Sequence, residues 1–259
     1  MKVALGGDSF EYLDVPAASA GLPDILLLHE GLGSVSMWRD FPAQLARATG
    51  ARVVAYSRLG FGASSVRTAP YTPRFMHEEA QETIPALRGA LGIERALLVG
   101  HSTGASMGLL HAAHDPDHVA GVVAMAPLID VEDGNVESIR EARRVYETTG
   151  WRDKLARHHE HPIDTVFASW NDTWLDPAFR AWSITRDLAR VRCPILAILG
   201  EDDPYSTRQQ LDVLVARATS ATTVEALTIP ACGHAPHREQ PAAVLAAIAR
   251  FARPAAPQD

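Results

Sequence analysis

The sequence predicts an α/β fold: a mostly parallel central sheet flanked by helices, with an inserted helical cap. Three observations predict it. Short, continuously apolar runs have strand length, helical patterns separate them, and the alternation breaks once, over residues 128–190. Continuous apolar strands alternating with helices imply parallel pairing covered on both faces. A chain of 259 residues fits one large domain or one domain carrying an insertion, and 47% hydrophobic residues supply its core.

Ile25–Leu28 is the first apolar run, a helix is predicted over 37–49, and Arg52–Tyr56 is the next strand. Residues 74–91 carry Phe75, Ala80, Ile84, Leu87 and Leu91 at helical spacing, with Gly92 as the stop. Strands follow at 95–99 and 119–125, separated by a small-residue helix over 105–113. After Pro127 the chain turns charged, aromatic and helical in pattern. Alternation resumes with a strand at 194–199, a helix near 206–218, a strand at 223–229 and a helix near 238–252. The expected organisation is a core of 1–127 and 191–259, a helical cap of 128–190, and a frayed tail from Pro254.

Gly100-His101-Ser102-Thr103-Gly104 lies where a predicted strand turns into a helix. Glycines two before and two after the serine give a sharp turn room, and the turn lifts the hydroxyl above the sheet beside helix N–H groups. A serine hydroxyl needs a base within reach, and the base needs an orienting acid. Catalytic groups on such a sheet belong at the carboxyl ends of strands. Gly200-Glu201-Asp202-Asp203-Pro204 and Ala231-Cys232-Gly233-His234-Ala235-Pro236 occupy two such ends, giving the order Ser, Asp, His. His237 is a weaker base because it begins the last helix.

These stretches, with His29-Glu30-Gly31-Leu32-Gly33 and Gly60-Phe61-Gly62-Ala63-Ser64, resemble the α/β-hydrolase fold superfamily along nearly the whole chain. The resemblance implies Ser102 as nucleophile, His234 as base and Asp203 as acid, with Asp202 and Asp130 as alternatives. It also implies an oxyanion hole from the amides of Thr103 and Gly31, with Leu32 as the alternative to Gly31. Two positions depart from the pattern. Glu30 stands where the family has glycine, and is expected to turn away and pair with an arginine or backbone donors. Ser57 stands where many relatives have aspartate.

Residues 128–190 hold seven of the chain's 17 aromatics, an excess over what a small cap core needs. Trp170, Trp174 and Trp182, with Trp38 near the oxyanion loop, are therefore candidate walls of an apolar pocket. His158, His159 and His161 do not follow a recognised zinc spacing, and His111, His114 and His118 suit a helix C-terminus. No metal and no cofactor are expected, since a Walker lysine and a dinucleotide glycine fingerprint are both lacking. A net charge of −7, with Lys2 and Lys154 the only lysines, gives no reason to expect nucleic acid. Cys193 and Cys232 make no disulfide framework and read as buried thiols. The N-terminus has no apolar run of the length of a signal peptide or membrane helix, so a cytoplasmic protein with a small-molecule partner and no membrane partner is expected, a homodimer being left open.

The expected activity is that of a serine hydrolase acting on a small or medium carboxylic ester, thioester or lactone. The resemblance leaves three rivals: a carbon–carbon bond hydrolase on the same triad, a cofactor-free dioxygenase using the His–Asp pair, and a non-catalytic ligand-binding receptor.

Overall fold

The computed structural model describes residues 1–253, so the tail from Pro254 lies outside the described residues. Among the described residues, eight strands form one sheet in the order β1-β2-β4-β3-β5-β6-β7-β8. They are β1 (Lys2–Leu5), β2 (Asp8–Val15), β3 (Asp24–Leu28), β4 (Val53–Tyr56), β5 (Ala96–His101), β6 (Val119–Met125), β7 (Ile195–Gly200) and β8 (Val224–Ile229). From β4 to β8 every pairing is parallel, while β1–β2 and β2–β4 are antiparallel. The β1–β2 hairpin turns through Gly6 and Gly7, both at positive φ, which suits a two-residue loop.

The helices are α1 (Phe41–Thr49), α2 (Phe75–Glu78), α3 (Ile84–Ala90), α4 (Thr103–His114), α5 (Asp133–Thr148), α6 (Trp151–Ala156), α7 (Ile163–Leu175), α8 (Thr185–Leu188), α9 (Arg208–Arg217), α10 (Pro236–Glu239) and α11 (Pro241–Phe251). Strand residues alternate between two cores, as the period of two requires. Ile25, Leu27, Val53, Ala55, Leu97, Val99, Leu196 and Ile198 bury against α1 and α11 on one face. Leu26, Leu28, Val54, Leu98, Val122 and Ala197 bury against α3, α4 and α9 on the other. No helix among the described residues is long and apolar enough to cross a membrane.

The helix predicted over 74–91 is interrupted. A π turn over Glu79–Thr83 separates α2 from α3, and Pro85 sits in the first turn of α3. Proline has no N–H for the i−4 carbonyl, so the ladder must shift there. The turn also lets the buried Glu79 carboxylate accept a hydrogen bond from the Tyr56 hydroxyl at 2.7 Å.

Between β6 and β7 the chain is helical: α5, α6, α7, a 3-10 turn at Pro177–Ala181, and α8. Tyr146, Leu155, Ile163, Val166 and Phe167 form a small core of their own, closed against Leu32 and Phe61 of the sheet-end loops. By contrast α8 packs against α4 and α9, with Leu188 in the main core. Cys193 and Cys232 are free and buried.

Candidate active site

Ser102 joins β5 to α4 with φ 53° and ψ −120°, a conformation that L-residues avoid. Its neighbours explain how the turn is tolerated. A Cβ on Gly104 would lie 2.6 Å from the His29 carbonyl oxygen, and one on Gly100 would lie 2.5 Å from Ala105 Cα. Only glycine lets α4 approach the ends of β3 and β5 that closely. The Ser102 amide donates to the Met125 carbonyl at 2.9 Å, tying the turn to β6. The Ser102 hydroxyl makes no hydrogen bond to a described residue and opens on a cavity that His234 also lines.

His234 Nδ1 donates to Asp203 Oδ1 and Oδ2 at 2.8 and 2.9 Å. The Asp203 carboxylate is fully buried, and Oδ1 also accepts the amides of Tyr205 and Ser206 at 2.8 and 3.0 Å. Those donors offset the cost of burying the charge and fix the ring tautomer, leaving Nε2 bare. The Tyr205 ring lies 4.8 Å from the imidazole. The alternative acids do not hold the ring: the Asp130 carboxylate accepts from Gln210, and Asp202 is exposed, while His234 Nδ1 meets Asp203 alone.

The loop after β3 is shaped by Arg58, a residue that no local sequence pattern marks. Its guanidinium is buried and donates to the carbonyls of His29, Glu30 and Gly31 at 2.8, 3.0 and 3.1 Å. The Glu30 carbonyl also accepts from His29 Nδ1 at 2.7 Å. In a trans peptide the N–H points opposite to the C=O, so the amides of Gly31 and Leu32 are turned away from Arg58. Gly31, Leu32 and Ser102 all line the cavity. Thr103 is buried at the first position of α4, where its N–H has no intrahelical acceptor.

Glu30 does not pair with an arginine. Its carboxylate faces His101 Nδ1 at 3.5 Å, because the residue before the nucleophile carries a ring long enough to reach across. Burial opposes ionisation of Glu30, but His101 outweighs it and holds the carboxyl below the usual carboxylate range. His101 Nε2 donates to the His234 backbone carbonyl at 2.6 Å, so this pair also anchors the loop that carries His234. The His237 ring lies 4.8 Å from both Trp38 and His101 and is buried, not in the cavity.

The cavity holds about 220 Å³ and is walled by Leu32, Met37, Leu128, Ile139, Trp170 and Trp174. Trp170 packs directly on Gly31, whose missing Cβ leaves room for the indole. Trp38 and Trp182 correct the expectation. Trp38 stacks on Phe41 beneath His237, and Trp182 stacks on Phe179 in the core; neither reaches the cavity. Trp151, not among the expected walls, does line it. The insertion's histidines are separately engaged: His158 with Ser36, His159 with Gly62 and Leu32, and His161 with Ser64.

This strained serine turn at the end of β5, with an Asp–His pair carried by loops after β7 and β8, defines a class of protein. A model of the alpha/beta hydrolase family matches residues 25–247, and the chain belongs to that family. Serine hydrolase BPHL of Homo sapiens is 28% identical over 230 residues, 82% of this chain and 73% of its own. The 2-succinyl-6-hydroxy-2,4-cyclohexadiene-1-carboxylate synthase of Enterobacter sp. (strain 638) is 26% identical over 268 residues, 92% and 94% of the two chains. The enol-lactonase of Burkholderia xenovorans LB400 superposes with a TM-score of 0.74 at 20% identity, over 97% of this chain and 99% of that one. At that identity the likeness speaks to the fold. The family match and the similarity to BPHL support a hydrolase as the coarse class.

Proposed function

We propose that this protein is a serine hydrolase that cleaves a small or medium carboxylic ester, thioester or lactone through an acyl-enzyme on Ser102. The observation that carries the reading is the convergence on one apolar cavity of a strained, unbonded serine hydroxyl and an imidazole held by a buried carboxylate. Ser102 and His234 line the same cavity, and the reaction has the Ser102 hydroxyl turned toward His234 Nε2. His234 takes the proton as Oγ bonds to the carbonyl carbon, and the oxyanion is held by the Thr103 amide and the Gly31 amide. Collapse breaks the ester bond, and His234 returns the proton to the departing oxygen or sulfur. Water, deprotonated by the same ring, then releases the acid and restores the serine. The helical insertion roofs the apolar part of the substrate with Trp170 and Trp174.

A fluorophosphonate probe should label Ser102 alone, as read by peptide mapping. Ser102→Ala should lose both labelling and hydrolysis of a 4-nitrophenyl ester series. Oxygen uptake, or turnover in the alanine variant, would point to the dioxygenase or another reaction instead.

A further inference from the structure

A second hollow, of about 370 Å³, lies beside the catalytic cavity. The two share Met37, Trp151, Leu155 and Arg238, so the hollow adjoins the catalytic cavity as a vestibule bounded by the same four side chains. The rest of the vestibule is Arg39, Lys154, Arg157 and His158; none of its lining residues is acidic. The hollow is thus locally cationic in a chain of net charge −7.

Two further observations mark the cluster. Among the described residues, Arg39, Lys154, Arg157 and Arg238 enter no ion pair, whereas Arg143, Arg144 and Arg152 of the same helical insertion each hold a carboxylate. Arg39 also adopts φ 53° and ψ −124°, nearly the dihedrals of Ser102. Such a conformation is costly for a non-glycine residue and favours glycine unless the side chain is needed where it stands. The His158 ring, which meets Ser36 Oγ at 2.9 Å, is held below the usual histidine range by burial and then by Arg39 and Arg238. The acids that flank these cations in sequence face elsewhere: Asp40 accepts from Gln44, Asp153 faces Arg152, and Glu239 accepts the Gly233 and Ala235 amides, while Glu30 is engaged by His101.

Converging cations without partners repel one another, and the group that relieves them is an anion with several acceptor oxygens. We propose that the vestibule binds an anionic end of the substrate, a carboxylate or phosphate remote from the scissile bond. The apolar middle of the substrate then fills the chamber, and its carbonyl lies at Ser102. The substrate class this names rests on the serine-hydrolase reading; the anion site itself does not.

Calorimetry keeps the two apart, because binding needs no turnover. Monohexyl phosphate, heptanoate and hexanol are titrated into the wild-type protein and into a Lys154→Gln/Arg157→Gln variant. Both substituted side chains are exposed, so the fold should persist. At low salt at least one anion should bind about tenfold more tightly than the alcohol, and the tighter of the two identifies the natural group. Added NaCl should erode that advantage, and the double variant should lose most of it. Equal affinity of anions and alcohol, or a preference insensitive to both salt and substitution, would overturn the proposal. A kinetic arm compares mono-4-nitrophenyl suberate with 4-nitrophenyl hexanoate, whose kcat/KM ratio should exceed one and fall in the variant. Absence of turnover on both esters counts against the hydrolase reading and leaves the calorimetric answer standing.

Discussion

A methyl group added at Gly104 would meet the backbone oxygens that close β3, the His29 carbonyl at 2.6 Å, and neither strand nor helix can retreat. One turn further along α4, a methyl at Gly108 would meet Leu28 Cδ1 at 3.4 Å and Leu98 Cβ at 3.6 Å, ordinary contact distances. The two substitutions should therefore differ in sign. Gly104→Ala should cost about 3 kcal/mol, as overpacking against backbone does. Gly108→Ala should be neutral or gain about 0.5–1 kcal/mol from helix propensity. Urea unfolding of the pair checks this, and equal losses would contradict the close approach of α4 to β3. This scale also shows what a sequence can carry. Ser102, Asp203 and His234 were legible because turn glycines and strand ends mark them locally. The fates of Trp38 and Trp182 were not, unlike those of Trp170 and Trp174, since the first two turn inward against partners that include residues far along the chain, His237 and His77.

Among elements, the loop after β3 depends on a residue from the end of a different strand. Arg58 follows β4 and uses its planar fork to hold the His29, Glu30 and Gly31 carbonyls together. Lysine keeps the charge but cannot span them. In Arg58→Lys the Gly31 amide should lose its fixed aim, so kcat should fall roughly 10- to 100-fold, a large part of what loss of an oxyanion donor costs, with KM little changed. A rise in KM alone would assign Arg58 to substrate binding instead. No local pattern announces this role, because it consists of contacts between segments 27 to 29 residues apart. The parallel strands were legible from their continuous apolar runs. The β1–β2 hairpin passed unread despite the Gly6-Gly7 turn, because its half-buried residues form no such run. The π turn before Pro85 was hidden within a helical period that it barely disturbs.

The whole molecule folds around histidines that must stay neutral. His29, His111, His159 and His237 are buried, and burial pushes all four below the usual histidine range, His111 and His159 to about 4. The hydrogen bonds agree for two of them: His29 Nε2 accepts the Arg58 amide and His159 Nδ1 accepts the Gly62 amide, so a proton on either nitrogen would face an N–H. In the unfolded chain these rings titrate near 6.5. Between that value and about 4 the unfolded state therefore binds protons that the folded state refuses, and stability must fall as pH falls. At about 1.4 kcal/mol per pH unit per group, His111 and His159 alone are worth several kcal/mol across the window, comparable with a domain's whole stability. Glu79, pushed up by burial, works in the opposite sense and offsets part of the loss at the acid end. The carboxyl of Glu30, held low, adds to the loss only below the unfolded carboxylate range. Urea midpoints measured from pH 7.5 down to 4.5 should decline steadily from about 6.5, the unfolded histidine value. Calorimetry in buffers of different ionisation enthalpy should show more than one proton taken up per molecule unfolded at pH 5.5. A flat profile with no uptake would mean that these rings are charged inside the fold, and the hydrogen bonds of His29 and His159 would then have to be reassigned.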